Sequence, residues 1–473
     1  MKQLRLLLLM LPALMACLIS GCIDDDITSS PSVRLEFSTD TVSFDTVFTE
    51  LGTPTARLIV YNRDKKGVMI SHIAFKNPQT PFRFNVDGQS GSSFSDIEIR
   101  GGDSIYVFIE CDPPKSPDAQ PALIEDQLQF VTNGNTQEVQ VEAYGQNVNR
   151  LRGLVVENDM TLTAEMPYVV FDSLVVAPGA RLTVEPGARL LFHDKAKMIV
   201  HGTLDAVGVV DRMIDMRGDR LDNVLPGVGY DIMAGQWDGL RFSPESFDNR
   251  MEYVNMRSTR NGLSIDSCAD LSRQKLTLVN SWLHNSQTNV ITSRYARVDA
   301  YGCVFSEAAN DVVALYGGKH SFVQCTMANN YLFSAITGSM LALYHCLPGE
   351  EISDQPLMQA DFENSIIYGL GSDLNEGDLT GSQVFLRYVL LKSEGTDDDN
   401  FINCLWGQDP LFYTIREDYV FDYRLRPDSP AIGAGDPSYV LPICLYDMNG
   451  LNRLQDGPPA LGAYVYVNLD SEE

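Results

Sequence analysis

The chain has 473 residues, with 63 acidic and 35 basic side chains and a net charge of −28 at pH 7. A surface this acidic repels phosphate backbones and anionic lipid head groups, which argues against nucleic acid as a partner. The length exceeds what one ordinary hydrophobic core supports, so we expect two or three domains or one array of repeats.

The first 21 residues predict a secretory signal peptide. A positively charged start precedes the apolar run 6–19, which is too short for a stable membrane span, and small residues stand before a cleavage site. Residues 19–22, Ile-Ser-Gly-Cys, resemble the lipobox of bacterial lipoproteins. That resemblance implies that Cys22 is acylated and anchors the protein in outer-membrane lipid. A transmembrane helix or a plain secreted protein is the alternative.

An acidic cluster follows the lipobox. Asp24, Asp25 and Asp26 lie in a polar tether, residues 22–32, whose composition predicts a solvated segment. The cluster resembles the surface-export signal of Bacteroidetes lipoproteins. It implies an outer-membrane location facing the cell exterior, whereas an ordinary flexible linker is the alternative.

Residues 33–148 predict an all-β sandwich of about seven strands. Short runs, several of which alternate between apolar and polar residues, recur between turn signals at 57–61, 82–86, 104–109, 127–131 and 138–143. The ordered motifs at 44–47, 58–62, 101–104, 112–114, 131–133 and 143–145 resemble the immunoglobulin-like sandwich of the abnormal-spindle and sperm-protein type. The resemblance implies a spacer or docking module without an active site.

An internal period begins after residue 149 and extends to about residue 407. Residues 176–182, Val-Ala-Pro-Gly-Ala-Arg-Leu, are nearly repeated at 184–190. Small residues then recur at steps of 22, 22, 21 and 19, at Ser281, Cys303, Cys325, Cys346 and Ser365. Each step predicts one coil of a β-solenoid, in which equivalent side chains form ladders.

Four motifs carry a resemblance to the opening coils of right-handed parallel β-helix proteins. They lie at 186–190, 198–204, 237–240 and 251–254. The resemblance implies a right-handed parallel β-helix over 149–407, in which Gly202 turns a corner and Trp237 begins a strand.

The cysteines do not form a complete disulfide framework in this prediction. Seven remain beyond Cys22, and an odd number cannot all pair within one chain. We interpret Cys303, Cys325 and Cys346 as a reduced ladder inside the coils, with disulfides between neighbouring coils as the alternative.

Residues 408–473 carry ordered motifs at 409–412, 422–425, 429–435, 447–450 and 462–464. They resemble the closing segment of many Bacteroidetes β-helix proteins, some of which degrade polysaccharides and many of which have no known activity. We expect this segment to cap the last coil. Arg424, Asp447 and Arg453 would pair inside it and tie it down.

The sequence gives only weak indications of a catalytic site. β-Helix polysaccharide lyases use a Lys, Arg or His base with calcium or arginine, and hydrolases use paired carboxylates. The candidates on the coils are His284, Arg294, Arg297, Asp299, His320 and His345. We expect scattered surface or structural residues, with His345 facing water because it precedes Cys346 in the ladder. No residue is assigned a catalytic role.

A metal or cofactor is not predicted. The acidic run Asp397, Asp398, Asp399, Asn400 could offer oxygen ligands to calcium, but a solvated loop is the simpler interpretation. The sequence contains no zinc-ligand spacing, no phosphate-loop motif and no nucleophile-elbow motif.

These observations favour a non-catalytic cell-surface lipoprotein that binds glycan or acts as a structural partner in an outer-membrane protein assembly. Its partners would be a polysaccharide or an outer-membrane protein, and not nucleic acid. The alternative is a polysaccharide lyase or glycoside hydrolase, which requires a base, a carboxylate and a cation to converge in a groove across several coils. An adhesin that binds a host protein is a third possibility, so enzymatic activity is left open.

Overall fold

The chain forms two all-β units, Met1–Asn147 and Val148–Glu473. The computed structural model describes residues 26–117, 119–225, 227–347 and 355–468. The signal peptide, Cys22 and the first two aspartates of the acidic cluster lie outside the described residues. Within those residues, no helix combines the length and apolar character needed to cross a bilayer.

Two sheets share one core in the first unit. One has the strand order β1-β3-β9-β5-β6, and the other has the order β2-β11-β10-β4-β7 with β8 also paired to β4. The strands are β1 (Glu36–Phe37), β2 (Thr41–Phe48), β3 (Ala56–Tyr61), β4 (Val68–Phe75), β5 (Phe82–Val86), β6 (Gln89–Gly91), β7 (Ser93–Phe94), β8 (Ile97–Ile99), β9 (Ser104–Cys111), β10 (Ala122–Thr132) and β11 (Asn135–Gln146).

Alternation along the strands builds this core. In β9, for example, Ile105, Val107 and Ile109 are buried while Tyr106 and Phe108 are exposed on the other face. The first two strands divide between the sheets, because β1 pairs antiparallel with β3 whereas β2 pairs parallel with β11. Both sheets contribute their buried faces to the same apolar cluster.

The end of the tether is held against the first unit. Ile27 forms a bridge with Gly67, and the Asn133 amide donates to the Ser30 carbonyl at 3.0 Å. Asp26 forms an ion pair with Lys66 at 2.9 Å. Residues 26–30 are exposed or half-buried, and backbone and side-chain hydrogen bonds hold them on the β-sheets.

A sheet of 24 strands, β12 to β37 without β20 and β21, dominates the second unit. Its strands run parallel, and most pair with strands two or three positions later in the chain, which is consistent with a solenoid. The strands are β12 (Asn149–Val156), β13 (Met160–Leu162), β14 (Tyr168–Val176), β15 (Arg181–Val184), β16 (Arg189–Phe192), β17 (Lys197–Val200), β18 (Thr203–Val207), β19 (Ile214–Gly218), β20 (Asn223–Leu225), β21 (Val228–Gly229), β22 (Gly239–Phe242), β23 (Asn249–Glu252), β24 (Val254–Thr259), β25 (Leu263–Ile265), β26 (Leu276–Val279), β27 (Trp282–Ser286), β28 (Ile291–Tyr301), β29 (Val304–Ala308), β30 (Val313–Val323), β31 (Thr326–Asn329), β32 (Ser339–Tyr344), β33 (Leu357–Gly369), β34 (Ser372–Glu376), β35 (Gln383–Leu391), β36 (Phe401–Ile402) and β37 (Leu405–Trp406).

The interior ladder differs from the prediction at one position. Backbone bonds connect Ser281 to Val304, Cys303 to Thr326 and Cys325 to Ile366, so Ser365 follows Cys325 directly. The Cys325 N–H also donates to the Ser365 hydroxyl at 3.0 Å. Two coils have the predicted 22-residue step, and the third is longer because extra residues lie both between β31 and β32 and between β32 and β33.

Cys346 and His345 therefore lie outside this ladder, and the prediction for both was wrong. They follow β32, which pairs with a different part of β30 than the ladder strands do. His345 does not face water, because it is buried and its Nδ1 accepts the Leu357 N–H at 3.0 Å. All seven cysteines among the described residues are free thiols.

The corners of the coils repeat a left-handed backbone position. Tyr253, Asn280, Gly302, Gln324 and Asn364 occupy this corner on successive coils with φ between 43° and 64°. Gly202 forms a different corner, between β17 and β18, as expected. An added Cβ there would lie 2.1 Å from the Ala180 carbonyl oxygen, so only glycine fits.

The closing segment packs along the coils rather than only over the last one. Its elements are β38 (Phe412–Ile415) and β39 (Phe421–Leu425), with 3-10 helices at Glu417–Tyr419, Pro437–Tyr439 and Pro442–Cys444. Together they cover an outward apolar row on β29, β31, β33 and β35, formed by Val304, Ala328, Ile366 and Leu390. The expectation of an end cap was therefore incomplete.

Buried polar groups fasten this segment. The Arg453 guanidinium donates to the carbonyls of Cys444, Gly462 and Ala463 and to Gln324 on the coils. Asp447 accepts three backbone N–H groups within the segment. Arg424 is held by Asp422, so each of the three predicted side chains has a structural partner.

Candidate functional site

A cleft of about 390 Å³ opens beside the covered face, where the closing segment stops covering the coils. This volume lies at the lower end of the range of small-molecule sites, about 300–1,000 Å³. The lining residues are Asp231, Ile232, Asn255, Arg257, Trp282, His284, Asn285, Glu307, Tyr331, Leu332, Phe333, Tyr419, Val420 and Phe421.

Strand alternation aims the wall residues into this cleft. Asn255 pairs in register with Trp282, and Arg257 with His284, on the neighbouring strands β24 and β27. Because side chains two residues apart share a face, all four point away from the core residue Leu283. The site is therefore built on consecutive coils and not on one loop.

His284 is a neutral wall residue. Its ring stacks on Trp282 with centroids 4.2 Å apart, and its Nε2 lies 3.1 Å from Asn255 Oδ1. An amide oxygen only accepts, so the bond requires the proton on Nε2 and leaves Nδ1 as the acceptor. Burial, followed by the nearby charges of Arg257 and Arg217, lowers the pKa of His284 well below its usual value.

An ion network forms one end of the cleft. The Arg257 Nε lies 3.0 Å from Asp231, and its Nη1 also contacts Asp215. Arg217, on the preceding coil, reaches the same oxygen of Asp231 at 3.2 Å. Two arginines and two aspartates thus neutralise each other, and the network adds no net charge to the site.

Glu307 is the buried acid of the site. It is 3% exposed, and its Oε1 accepts the Tyr423 hydroxyl from β39. Its Oε2 has no hydrogen-bond partner within the described part of the chain. Burial raises the pKa of Glu307 to about 7, so its carboxyl exchanges a proton near neutral pH.

Exposed aromatic side chains form the rim. Phe333, in the loop after β31, is 40% exposed, and Tyr419, at the tip of the β38–β39 hairpin, is 42% exposed. Three residues of the tip, Arg416, Asp418 and Tyr419, have positive φ. The cleft therefore has two exposed aromatic rings at its rim and hydrogen-bonding groups further in.

The structure disperses the predicted candidates. Among the six, His284 alone lines the cleft. His320 is buried in the interior, in register between Val298 and Ala360, and burial lowers its pKa to about 4. Arg294, Arg297 and Asp299 lie on β28, and the sixth candidate, His345, is buried after β32.

Two further grooves differ in character. One of about 460 Å³ on the coils contains Arg294, together with Lys197 and the Arg241–Asp266 ion pair. Another of about 920 Å³ lies in the first unit beside β4 and β5. The His284 cleft is smaller than both, but it combines aromatic rings with buried titratable groups.

The acidic loop is internally satisfied. Asp397 accepts the backbone N–H groups of Asn403 and Cys404 and the Trp406 indole N–H. Asp398 accepts the N–H groups of Asn400 and Phe401. Across the described ranges, no group of three or more His, Cys, Asp or Glu side chains is arranged to hold a metal ion.

Sequence reasoning missed Glu307, although a signal for it was present. The 22-residue step that relates Ser281 to Cys303 also relates Asn285 to Glu307. Both residues have positive φ, which turns them at the same corner of adjacent coils. The contribution of Tyr423 had no such signal, because it comes from the closing segment.

The comparisons with known proteins add little. No family model matches the chain, and no curated protein matches it. A crystal structure of a protein of unknown function from Porphyromonas gingivalis W83 is similar at 15% sequence identity and a TM-score of 0.19. The similarity covers 25% of this chain and 49% of that one, so the chain spans about half the length of that structure.

Proposed function

We propose that this protein is a cell-surface lipoprotein that binds a glycan in the His284 cleft without a cofactor. The single observation that carries the proposal is the composition of the cleft, where aromatic rings stand beside uncharged and internally neutralised polar groups. A sugar ring has apolar C–H faces and a polar edge, which such a lining matches.

The proposed architecture is an immunoglobulin-like sandwich followed by a right-handed parallel β-helix. The division of the first strands between two sheets, with β2 parallel to β11, supports the first part. The repeated parallel register supports the second, and right-handed crossovers are the general rule for parallel strands. A structural role in an outer-membrane protein assembly fits the same architecture.

Glycan binding can be tested on the full chain with a glycan array and titration calorimetry. We expect replacement of both rim rings, Phe333→Ala with Tyr419→Ala, to weaken binding at least tenfold, because aromatic contacts dominate such interfaces. Tyr144→Ala is the matched control, since this tyrosine is equally exposed but lies in the first unit. Equal binding by all three proteins, or silence across the array, would reject the proposal.

Anchoring is a separate proposal that rests on the sequence around Cys22. In cells fed an alkyne-tagged fatty acid, the wild-type chain should be labelled and sediment with membranes, whereas Cys22→Ala should do neither. Replacing the three aspartates at 24–26 by asparagine should preserve labelling and reduce cleavage by protease added outside the cell. A labelled Cys22→Ala chain would contradict the proposal.

Glycan cleavage is the second candidate, and Glu307 is the observation that favours it. A carboxyl with a pKa of about 7 and one oxygen that no described residue pairs has the properties of a general acid or base. Incubation with acidic and neutral polysaccharides would reveal new reducing or unsaturated ends. We expect Glu307→Gln to abolish any such product, and product formation by that variant would exclude this role.

A further inference from the structure

We propose that Glu307 donates a hydrogen bond to the bound glycan, and that the cleft therefore takes a neutral sugar presenting an acceptor oxygen. The inference rests on the proposed function and adds the class of ligand and the group that recognises it. It concerns binding and requires no chemical step.

The geometry leaves one oxygen of Glu307 without a hydrogen-bond partner among the described residues. Tyr423 occupies Oε1 of Glu307, and the Trp282 indole N–H is occupied by Ser306 at 3.0 Å. Oε2 is buried and without a partner among the described residues, although Glu307 lines the cleft. An unsatisfied buried polar atom destabilises the site, and a ligand that pairs with it removes that cost.

Burial among uncharged or neutralised groups favours the protonated carboxyl of Glu307. The titratable groups that line the cleft with Glu307 are Asp231, Arg257, His284, Tyr331 and Tyr419, and Tyr423 from β39 donates to it. Tyr423 and His284 are uncharged, since burial raises the pKa of the former well above and lowers that of the latter well below its usual value. Arg257 is already neutralised by Asp215 and Asp231.

The same neutralisation argues against an acidic sugar. A uronate carboxylate buried here would need an unpaired cation, because desolvating a charge without a partner is costly. Arg257 is the arginine that lines the cleft, and it is already shared between Asp215 and Asp231. A hydroxyl, ring or glycosidic oxygen pairs with a protonated Glu307 without adding charge.

The test uses the full chain and its Glu307→Gln variant, with (1→4)-linked hexasaccharides of glucose, xylose and mannose and with hexagalacturonate as probes. Calorimetry from pH 6 to pH 9 measures the affinities. We expect a neutral hexasaccharide to bind wild type about 30- to 100-fold more weakly at pH 9 than at pH 6, because the donor proton is lost above pH 7. The Glu307→Gln variant keeps a donor at every pH, so it should bind with the same affinity at pH 6 and at pH 9.

Glu185→Gln is the control, because this exposed glutamate lies outside the lining of the cleft, and it should keep the wild-type pH profile. Wild-type affinity that is independent of pH, a Glu307→Gln profile that matches wild type, or preference for hexagalacturonate would overturn the inference and leave glycan binding standing. Absence of binding by every probe at every pH would overturn the proposed function as well.

Discussion

At the scale of single residues, the second unit buries charged side chains where its coils contact the closing segment. Arg453 is 4% exposed, and its four acceptors are carbonyl or amide oxygens rather than a carboxylate. The side chain thus satisfies carbonyl groups that no regular strand pairs. Glu307 has the opposite condition, because one of its oxygens has no partner in the part of the chain that the structure describes.

Replacing Arg453 tests the first of these arrangements. Arg453→Met keeps the volume but leaves several buried carbonyls without donors, so we expect the free energy of unfolding to fall by about 3 kcal/mol. Urea unfolding followed by tryptophan emission is suitable because Trp237, Trp282 and Trp406 all lie in the second unit. Arg273→Met, which breaks an exposed pair with Asp248, should leave the unfolding transition almost unchanged. Similar losses for both variants would show that burial is irrelevant.

Glu307 predicts a specific pH dependence of stability. Its pKa is about 7 in the folded chain, against a usual 4.5. Between these two pH values the folded state therefore binds more protons than the unfolded state, so stability falls as pH rises from 4.5 to 7. We expect Glu307→Gln to remove about 2–3 kcal/mol of that decline, measured by urea unfolding at pH 5 and pH 8. Glu185→Gln should leave the decline unchanged. An identical decline in Glu307→Gln would place the titration elsewhere, for example at Glu363, whose pKa burial also raises to about 7.

At the scale of elements, the corners determine whether coils can stack. Strands supply the apolar ladder, but each corner must bring the chain over the preceding coil at about 4.8 Å. Gly202 meets this demand where an added Cβ would contact the carbonyl oxygens of Ala177 and Ala180. Gly179, in the turn of the preceding coil, has φ of +81° and open space around it.

Two alanine variants separate steric contact from backbone strain. Gly202→Ala forces the backbone of two coils apart, and we expect it to lower the free energy of unfolding by about 2–4 kcal/mol. Gly179→Ala should cost only about 1 kcal/mol, because it adds strain at positive φ without a contact. Urea unfolding monitored by tryptophan emission compares the two, and a larger loss at Gly179 would contradict this account of the corner.

At the scale of the whole molecule, the closing segment completes a second apolar core in the second unit. Phe412 is 5% exposed and packs edge-on against Tyr423 with ring centroids 4.9 Å apart. Its neighbour Tyr413 is 39% exposed. The segment also supplies Tyr423 to Glu307 and Tyr419 to the rim, so the cleft depends on it.

Phe412→Ala should therefore destabilise the entire second unit by about 3–5 kcal/mol, the usual cost of deleting a buried ring. The reason is that the cavity opens between the coils and the segment. Tyr413→Ala is the matched control and should change stability by less than about 0.5 kcal/mol. Tryptophan emission during urea unfolding reports the transition. Unchanged emission with a separate loss of the segment would mean that the coils fold without it.

Much of the fold was readable from sequence, because local patterns carry it. Strand alternation, the Pro-Gly turns and the 22-residue step each depend on residues close together in the chain, and they predicted an all-β chain with parallel coils. The step failed at Cys346, where an insertion resembled one more coil. Spacing alone cannot distinguish a ladder residue from a loop residue of similar size.

The sequence by itself determined the all-β class and the repeating register from Ser281 to Cys325, since both follow from periodicity, and its resemblance to β-helix proteins indicated the corner at Gly202. Tertiary structure alone decided which side chains meet in the cleft. Arg257, His284 and Glu307 come from three coils and Tyr423 from the closing segment, and their protonation depends on burial. Burial is produced by packing between segments distant in the chain, which no local pattern records.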